Sequence, residues 1–371
     1  MTKAAELAKM GEVLTNSQIG GRRNIVINGA MQVAQRGTSS TSSGRYTLDR
    51  FEAIATFGEA TVTQSQDSTS PDEFGKSYKI AIGSTGETVG TTEQQYIRYK
   101  IEGQDLQQLK HGTSSAESMT LSFYVRSSVT GTYAISFYSN DSNKNHVKTY
   151  TVDSANTWER KSVTVSGNTS DAFDNDNAVS LSIHWLLTQG SNYLGDNSSL
   201  NTWVTYGNTN FAGNVNTGFG TNANATFFLT GVQLEVGSQA TPFEHLSVGE
   251  SLQLCKRYFQ KTGNVSGNAY TPLTPYFDAA STSLGYCPVP LRPKMRLGSA
   301  VAVSHSGVGE LGLSIGTGTS AVSAVSLQAA QSGEDFVTIK FTSSDTLTQY
   351  RPMRVYANND ATAFIAFDAE L

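Results

Sequence analysis

Phe227-Phe228-Leu229-Thr230-Gly231-Val232-Gln233-Leu234-Glu235-Val236 alternates apolar and polar side chains over its second half. Val232, Leu234 and Val236 fall on one face and Gln233 and Glu235 on the other, the period of a strand with one buried side. The same period recurs upstream. Met119, Leu121, Phe123 and Val125 alternate with Thr120, Ser122, Tyr124 and Arg126. Tyr133, Ile135 and Phe137 follow the Gly131 turn, and Val179, Leu181, Ile183 and Trp185 alternate with Ser180, Ser182 and His184. Ile80 with Ile82, Ile97 with Tyr99 and Ile101, and Val163 with Val165 add further strands. Many such strands joined by turn residues predict an antiparallel sandwich, each sheet with one buried and one wet face.

Composition agrees with that class. Aromatic residues make up 10% of the 371, charged residues only 15%, and there are 34 glycines. This mixture suits pleated, half-buried strands joined by Gly/Asn turns better than amphipathic helices. A net charge of -5 argues against a general nucleic-acid binder, which needs clustered cations. No stretch is long and apolar enough to predict membrane insertion, and the start does not read as a secretory signal. Cys255 and Cys287 are too few for a disulfide scaffold and sit among apolar neighbours, so both are expected as buried free thiols. Assembly in a reducing cytoplasm follows.

Five segments are expected. In residues 1–22, Ala4, Leu7, Gly11 and Leu14 form a narrow seam of about two heptads on a helix too short to be stable alone. It needs copies of itself or a docking surface, and self-association is the favoured reading. Residues 23–45 read as an anchoring segment ending in a Ser/Thr/Gly linker, and 46–246 as the main β domain. Ser247-Val248-Gly249-Glu250 is a capping box that opens a connecting helix, residues 247–261, with Leu252, Cys255 and Phe259 as its apolar stripe. Residues 262–371 return to strands as a smaller sandwich.

Motifs for chemistry are weak. Gly312-Leu313-Ser314-Ile315-Gly316 has nucleophile-elbow spacing but no helix behind it, and Gly316-Thr317-Gly318 lacks the strand and helix of a dinucleotide site. Both read as a hairpin. Neither a catalytic residue nor a metal site nor a cofactor is expected. Asp171, Asp174 and Asp176 leave two readings open, a cation loop or a polar turn. The stretch between Leu187 and Phe227 is long and rich in Gly, Asn and Ser, and it carries Tyr193, Trp203, Tyr206 and Phe211. Loops of that length in compact domains are functional or disordered. Flat rings beside amide side chains suit sugar binding, so these four are candidate glycan ligands. The competing reading has Trp203 and Tyr206 starting an edge strand and packing inward.

Two stretches, Asn28-Gly29-Ala30-Met31-Gln32-Val33-Ala34-Gln35-Arg36-Gly37 and Tyr46-Thr47-Leu48-Asp49-Arg50-Phe51, resemble the opening of bacteriophage tail-fibre proteins of the marine podovirus type. Thr230–Gly237 with Ala240-Thr241-Pro242-Phe243-Glu244 is similar to the strand that closes a carbohydrate-binding-module-like jelly roll in such fibres, and Asn156-Thr157-Trp158-Glu159-Arg160 looks like that module too. The resemblance covers most of the chain in order. It implies an all-β protein, an antiparallel jelly-roll sandwich followed by a smaller β-sandwich, with a short N-terminal and a short inter-domain helix. It further implies a homotrimer on the virion as a tail appendage, held by its N-terminus to other phage tail proteins and recognising a host-surface glycan or receptor. A capsid-attached fibre, decoration or connector protein with a purely structural role is the alternative.

Overall fold

Strand pairing in the computed structural model builds two six-stranded antiparallel sheets that pack face to face, followed by a second β unit. The structure describes Lys3 and residues 22–263, 268–297, 300–315, 318–333 and 335–371. Ala4, Leu7, Gly11 and Leu14 of the expected oligomerisation seam lie outside the described residues. The chain divides into two compact units, residues 1–251 with Leu371, and residues 252–370.

The first unit holds β1 (Ser39–Ser40), β2 (Phe51–Ala55), β3 (Val62–Asp67), β4 (Ser77–Ile82), β5 (Gln94–Glu102), β6 (Met119–Ser127), β7 (Gly131–Ser139), β8 (Lys144–Val152), β9 (Glu159–Val165), β10 (Val179–Gln189), β11 (Val204–Thr205) and β12 (Thr226–Val236). One sheet runs β1-β3-β4-β12-β6-β9 and the other β11-β8-β7-β10-β5-β2. Alternate residues of both meet in one core, including Phe123, Phe137, Trp185, Tyr99, Phe227 and Leu234. This is the jelly-roll sandwich.

β12 explains how the sheet closes. Phe227 and Leu229 face the core, and so do Val232 and Leu234, so the inward face changes parity between them. The switch is a bulge: the register with β6 shifts between Thr230 and Gln233, and Gly231 sits at φ 59°. A Cβ there would lie 2.7 Å from the Phe74 ring and 2.8 Å from that of Tyr124, so only glycine fits. Before the bulge β12 pairs with β4. After it, the same edge takes the segment from Asn24 to Gly29. Asn24 Nδ2 donates to Val232 O (3.0 Å), its Oδ1 accepts from Leu234 N (3.1 Å), and Ile25 N donates to Leu234 O (3.0 Å).

Two expectations change here. The expected anchoring segment and linker, residues 23–45, is part of the sandwich, because Ile25, Val26 and Met31 are core residues and β1 pairs with β3. Gln233 and Glu235 do point away from the core but are covered. The chain after β12 folds back, so that Gln233 binds Glu244 N (2.7 Å) and Pro242 O (3.2 Å), while Glu235 accepts from Thr241. The two side chains are 0% and 2% exposed.

Helix α1 (Val248–Lys256) begins at the expected capping box, with Glu250 N donating to Ser247 Oγ (3.2 Å) and Ser247 N to Glu250 Oε2 (2.9 Å). It stops at Lys256, short of the expected Lys261. Phe259 belongs to β13 (Phe259–Gly263), whose alternation finds a backbone partner in the last strand.

The second unit continues with β14 (Phe277–Asp278), β15 (Leu284–Pro290), β16 (Ala302–His305), β17 (Leu311–Ile315), β18 (Gly318–Leu327), β19 (Phe336–Ser343), β20 (Pro352–Ala357) and β21 (Phe364–Asp368). Sheets β13-β21-β16 and β14-β20-β17-β18-β19-β15 share a core around Phe341, Met353 and Phe367. Ser314 lies within β17, opposite Arg354 and Thr319, so residues 312–315 of the elbow-like motif run along a strand. Cys255 and Cys287 are both buried and are not joined in a disulfide.

Removing the Asn24 bridge strands a buried carbonyl and a buried amide, so Asn24→Ala is expected to cost about 2–3 kcal/mol. Gly231→Ala is expected to cost about 1–3 kcal/mol through its positive φ and the crowding of two rings. Urea denaturation of the full chain measures both, and losses under about 0.5 kcal/mol would remove β12 from this role.

Candidate functional site

The outer face of the β11-β8-β7-β10-β5-β2 sheet carries the site. On β5 the inward series Ile97, Tyr99 and Ile101 leaves Gln94, Tyr96, Arg98 and Lys100 outward. Antiparallel register then sets them in rows across three strands: Tyr96–Leu186–Ala134, Arg98–His184–Ser136 and Lys100–Ser182–Tyr138. Side chains in one row are neighbours by construction.

The long loop after β10 folds onto one end of these rows. It has its own small core, in which Phe211 and Ala212 pack with Ala134, Val147 and Leu186, joined at the edge by Tyr193 and Tyr206. Polar bonds pin it. Asn145 Nδ2 and Ser199 Oγ both donate to Asn210 O (3.0 and 2.5 Å), and Asn210 Nδ2 donates to Thr205 O (3.0 Å). β11 within the loop pairs with the edge of β8.

The result is a groove of about 300 Å³ lined by Gln94, Tyr96, Arg98, Lys100, Tyr138, Asn140, Ser182, His184, Tyr206 and Phe211. Tyr206 and Tyr138 meet edge to face (5.2 Å between centroids), and Phe211 meets His184 in the same manner (5.2 Å). In the floor, Ser182 Oγ donates to Asn140 Oδ1 (2.9 Å), while the buried Ser136 Oγ has no partner. Behind Arg98, Glu52 on β2 takes its Nε (2.9 Å) and Nη2 (2.7 Å), and Arg45 approaches the same carboxylate at 3.3 Å. A second cavity of similar size, bordered by Thr41, Ser42, Ala53, Ala55, Phe57 and Gln64, has no charged lining residue and a single ring. The first groove combines rings, hydroxyls, amides and cations, which is what orients a polar ligand.

The four loop aromatics part ways. Tyr206 and Phe211 line the groove, and Tyr193 lies behind Phe211 with ring centroids 6.3 Å apart. Trp203 lies elsewhere. Its Nε1 donates to Ser166 O (2.8 Å), and its ring packs edge-on to His111 (5.9 Å) and His146 (5.4 Å) against the main core. That matches the inward-packing reading of the edge strand. Tyr96, Arg98, Lys100, Tyr138 and His184 also line the groove and are not among the expected ligands, although they occupy the parity left over once the inward residues of β5, β7 and β10 are assigned.

Asp171 and Asp176 are engaged locally. Asp171 pairs with Lys144 (2.6 Å), and Asp176 accepts from Ala178 N (2.9 Å). Among the described residues, no three or more His, Cys, Asp or Glu side chains gather in a way that could hold a metal ion.

No family model matches the chain, and no curated protein matches it. Among solved structures, it is similar to the tailspike protein 4 enzymatically active domain of bacteriophage CBA120, at 12% identity and TM-score 0.31 over 57% of this chain. The match spans only 21% of that structure. It is also similar to a family 11 carbohydrate-binding module of Clostridium thermocellum in complex with a β-1,3-1,4-mixed-linked tetrasaccharide (12% identity, TM-score 0.29, 55% of this chain and 98% of the module). A third likeness is TmCBM61 in complex with β-1,4-galactotriose (7% identity, TM-score 0.30, 58% and 99%).

Burial holds His184 down to about 3, aided by Arg98 and Lys100, and holds His111 and His146 down to about 4. Each is neutral in the fold but takes up a proton near pH 6.5 when unfolded. The unfolded chain therefore binds more protons between pH 6.5 and 4, so stability is full above 6.5 and falls as the pH drops through that window. Melting temperatures at pH 7, 5.5 and 4 are expected to decline in that order, with a shallower slope in His146→Gln. A flat profile would contradict the burial of these rings.

Proposed function

We propose that the first unit is a glycan-binding module and that the chain acts as a receptor-binding appendage of a phage virion, without catalytic activity. The observation that carries the binding reading is the groove. Tyr206, Tyr138 and Tyr96 line it around a floor of Ser182, His184 and Asn140, so aromatic surface for apolar sugar faces and polar groups for hydroxyls are brought together. Ser182 and His184 sit on β10, Asn140 in the turn that follows β7, and the loop wall is pinned by buried amides, so little ordering entropy remains to be lost on binding.

The virion reading is supported by the resemblance of residues 28–37, 46–51 and 230–244 to phage tail fibres. In that reading the chain is a homotrimer, joined through the Ala4, Leu7, Gly11 and Leu14 seam and bound by its N-terminus to other tail proteins. It would be assembled in the host cytoplasm. Three weak sites on one spike would then gain avidity from effective concentration.

A glycan array probed with the full chain tests the binding reading, and Tyr206→Ala on any hit is expected to weaken affinity by about 5- to 30-fold. Trp203→Ala should lower the melting temperature and leave affinity unchanged. Affinity lost in Trp203→Ala but kept in Tyr206→Ala would move the site out of the groove. The trimer is checked by mass in solution: a monomer for the full chain sinks it.

A further inference from the structure

The three most exposed large apolar side chains among the described residues are Tyr350, Tyr276 and Tyr270, at 76, 64 and 58%. All three belong to the second unit and lie beside the β14–β20 pair. On β20 the core takes Met353 and Val355, which leaves Pro352, Arg354 and Tyr356 on the other face. Phe277 pairs with Met353, so Tyr276 falls beside Arg354, whose guanidinium carbon lies 5.1 Å from the ring centroid. Tyr270 stacks on Tyr356 (6.5 Å, 27° between planes), and its hydroxyl donates to Asn359 Oδ1 (3.1 Å). Tyr356 itself lies across Gly312 of β17, where a Cβ would come within 2.5 Å of its Cζ, so the neighbouring strand is cleared of a side chain for it. In the other direction, Tyr350 N donates to Ala279 O (2.8 Å), just beyond the Asp278–Pro352 pair. Rows two residues apart on a strand are spaced by about 7 Å, so the tyrosines recur along a line instead of gathering in one patch. Polar groups separate them. Among the described residues Arg354 makes no ion pair and no side-chain hydrogen bond, and its Nε is buried without a partner. Ser314 and Thr319 continue its row with hydroxyls. The core of a protein–protein interface is depleted of charge and contiguously apolar. Spaced rings with donors between them match instead a chain whose units each carry an apolar C–H face and an oxygen-rich edge.

We propose that this strip is a second carbohydrate-binding surface, taking a linear glycan whose sugar rings stack on Tyr276 and Tyr270 and whose oxygens accept from Arg354. Tyr350 extends the strip for longer chains. The surface belongs to the second unit and does not depend on the groove.

The test probes an array of linear bacterial surface polysaccharides and their oligosaccharide fragments with the full chain and with its Tyr206→Ala variant, in which the groove is weakened. Hits kept by Tyr206→Ala are then titrated calorimetrically into further variants of that chain. The expected result is that such hits exist and that Tyr276→Ala and Arg354→Gln each weaken them by about 5- to 20-fold, with the melting temperature kept. Tyr276→Phe, which keeps the ring, should bind as before, and Tyr350→Ala should weaken only the longer fragments. Hits of the full chain that all vanish in Tyr206→Ala overturn the second surface and leave the groove reading intact. Affinity unchanged in both Tyr276→Ala and Arg354→Gln overturns it as well. A drop in mass in solution for Tyr276→Ala, with sugar affinity kept, assigns the strip to contacts between copies of the chain and overturns it too. Absence of any sugar hit for either chain overturns this surface and the groove reading together.

Discussion

Strand β12 must satisfy hydrogen bonds along both edges while changing which of its side chains face the core, and Gly231 is where it does so. Without the bulge, either Phe227 and Leu229 or Val232 and Leu234 would turn to the outer face, and half of the strand's apolar area would leave the core. The bulge also frees the carbonyl of Val232 and the amide of Leu234 for Asn24, whose side chain takes both. Residues 24–29 are thereby held along the edge of β12. With that sheet closed, the facing sheet buries Trp185, Ile183 and Tyr99 against it, and its other face remains for the groove.

Strand parity was readable where each strand keeps one phase. β5, β6 and β7 alternate cleanly, and β10 does so from Leu181 on, while Val179 falls before a register shift and stays out of the core. Reading failed where a tertiary partner decides. Asn24 to Met31 looks like a short apolar run before a linker, and only the exposed edge of β12 shows why it is buried. Phe259 fits a helical stripe after Cys255 as well as it fits a strand, because a short apolar run carries both periods. The availability of β21 as a backbone partner settles it as β13.

The groove was half legible for a related reason. A loop with several rings marks itself as unusual, but which ring stays accessible depends on what the loop must bury to be held in place. Ordering a long loop costs backbone entropy, and here Phe211, Ala212 and Val147 form the small core that offsets it. Phe211 is consequently 6% exposed and acts as a wall, while Tyr206 is half-buried and lines the groove. Trp203, the most conspicuous ring in the sequence, sits beside two buried histidines and closes the sandwich edge. Its indole N–H is taken by the Ser166 carbonyl, leaving no donor for a ligand.

Rows across strands are invisible until register is known, and the groove floor consists of such rows. Arg98, His184 and Ser136 are far apart in sequence yet adjacent in space because β10 pairs with β5 on one side and β7 on the other. That arrangement has an electrostatic consequence. His184, buried and close to Arg98 and Lys100, gives up its charge and does not switch near neutral pH. Glu52, one strand further out, holds the guanidinium in place without entering the groove. Orientation of Arg98 thus comes from the sheet itself, whose register is set by the core beneath it, and the loop supplies only the ring above.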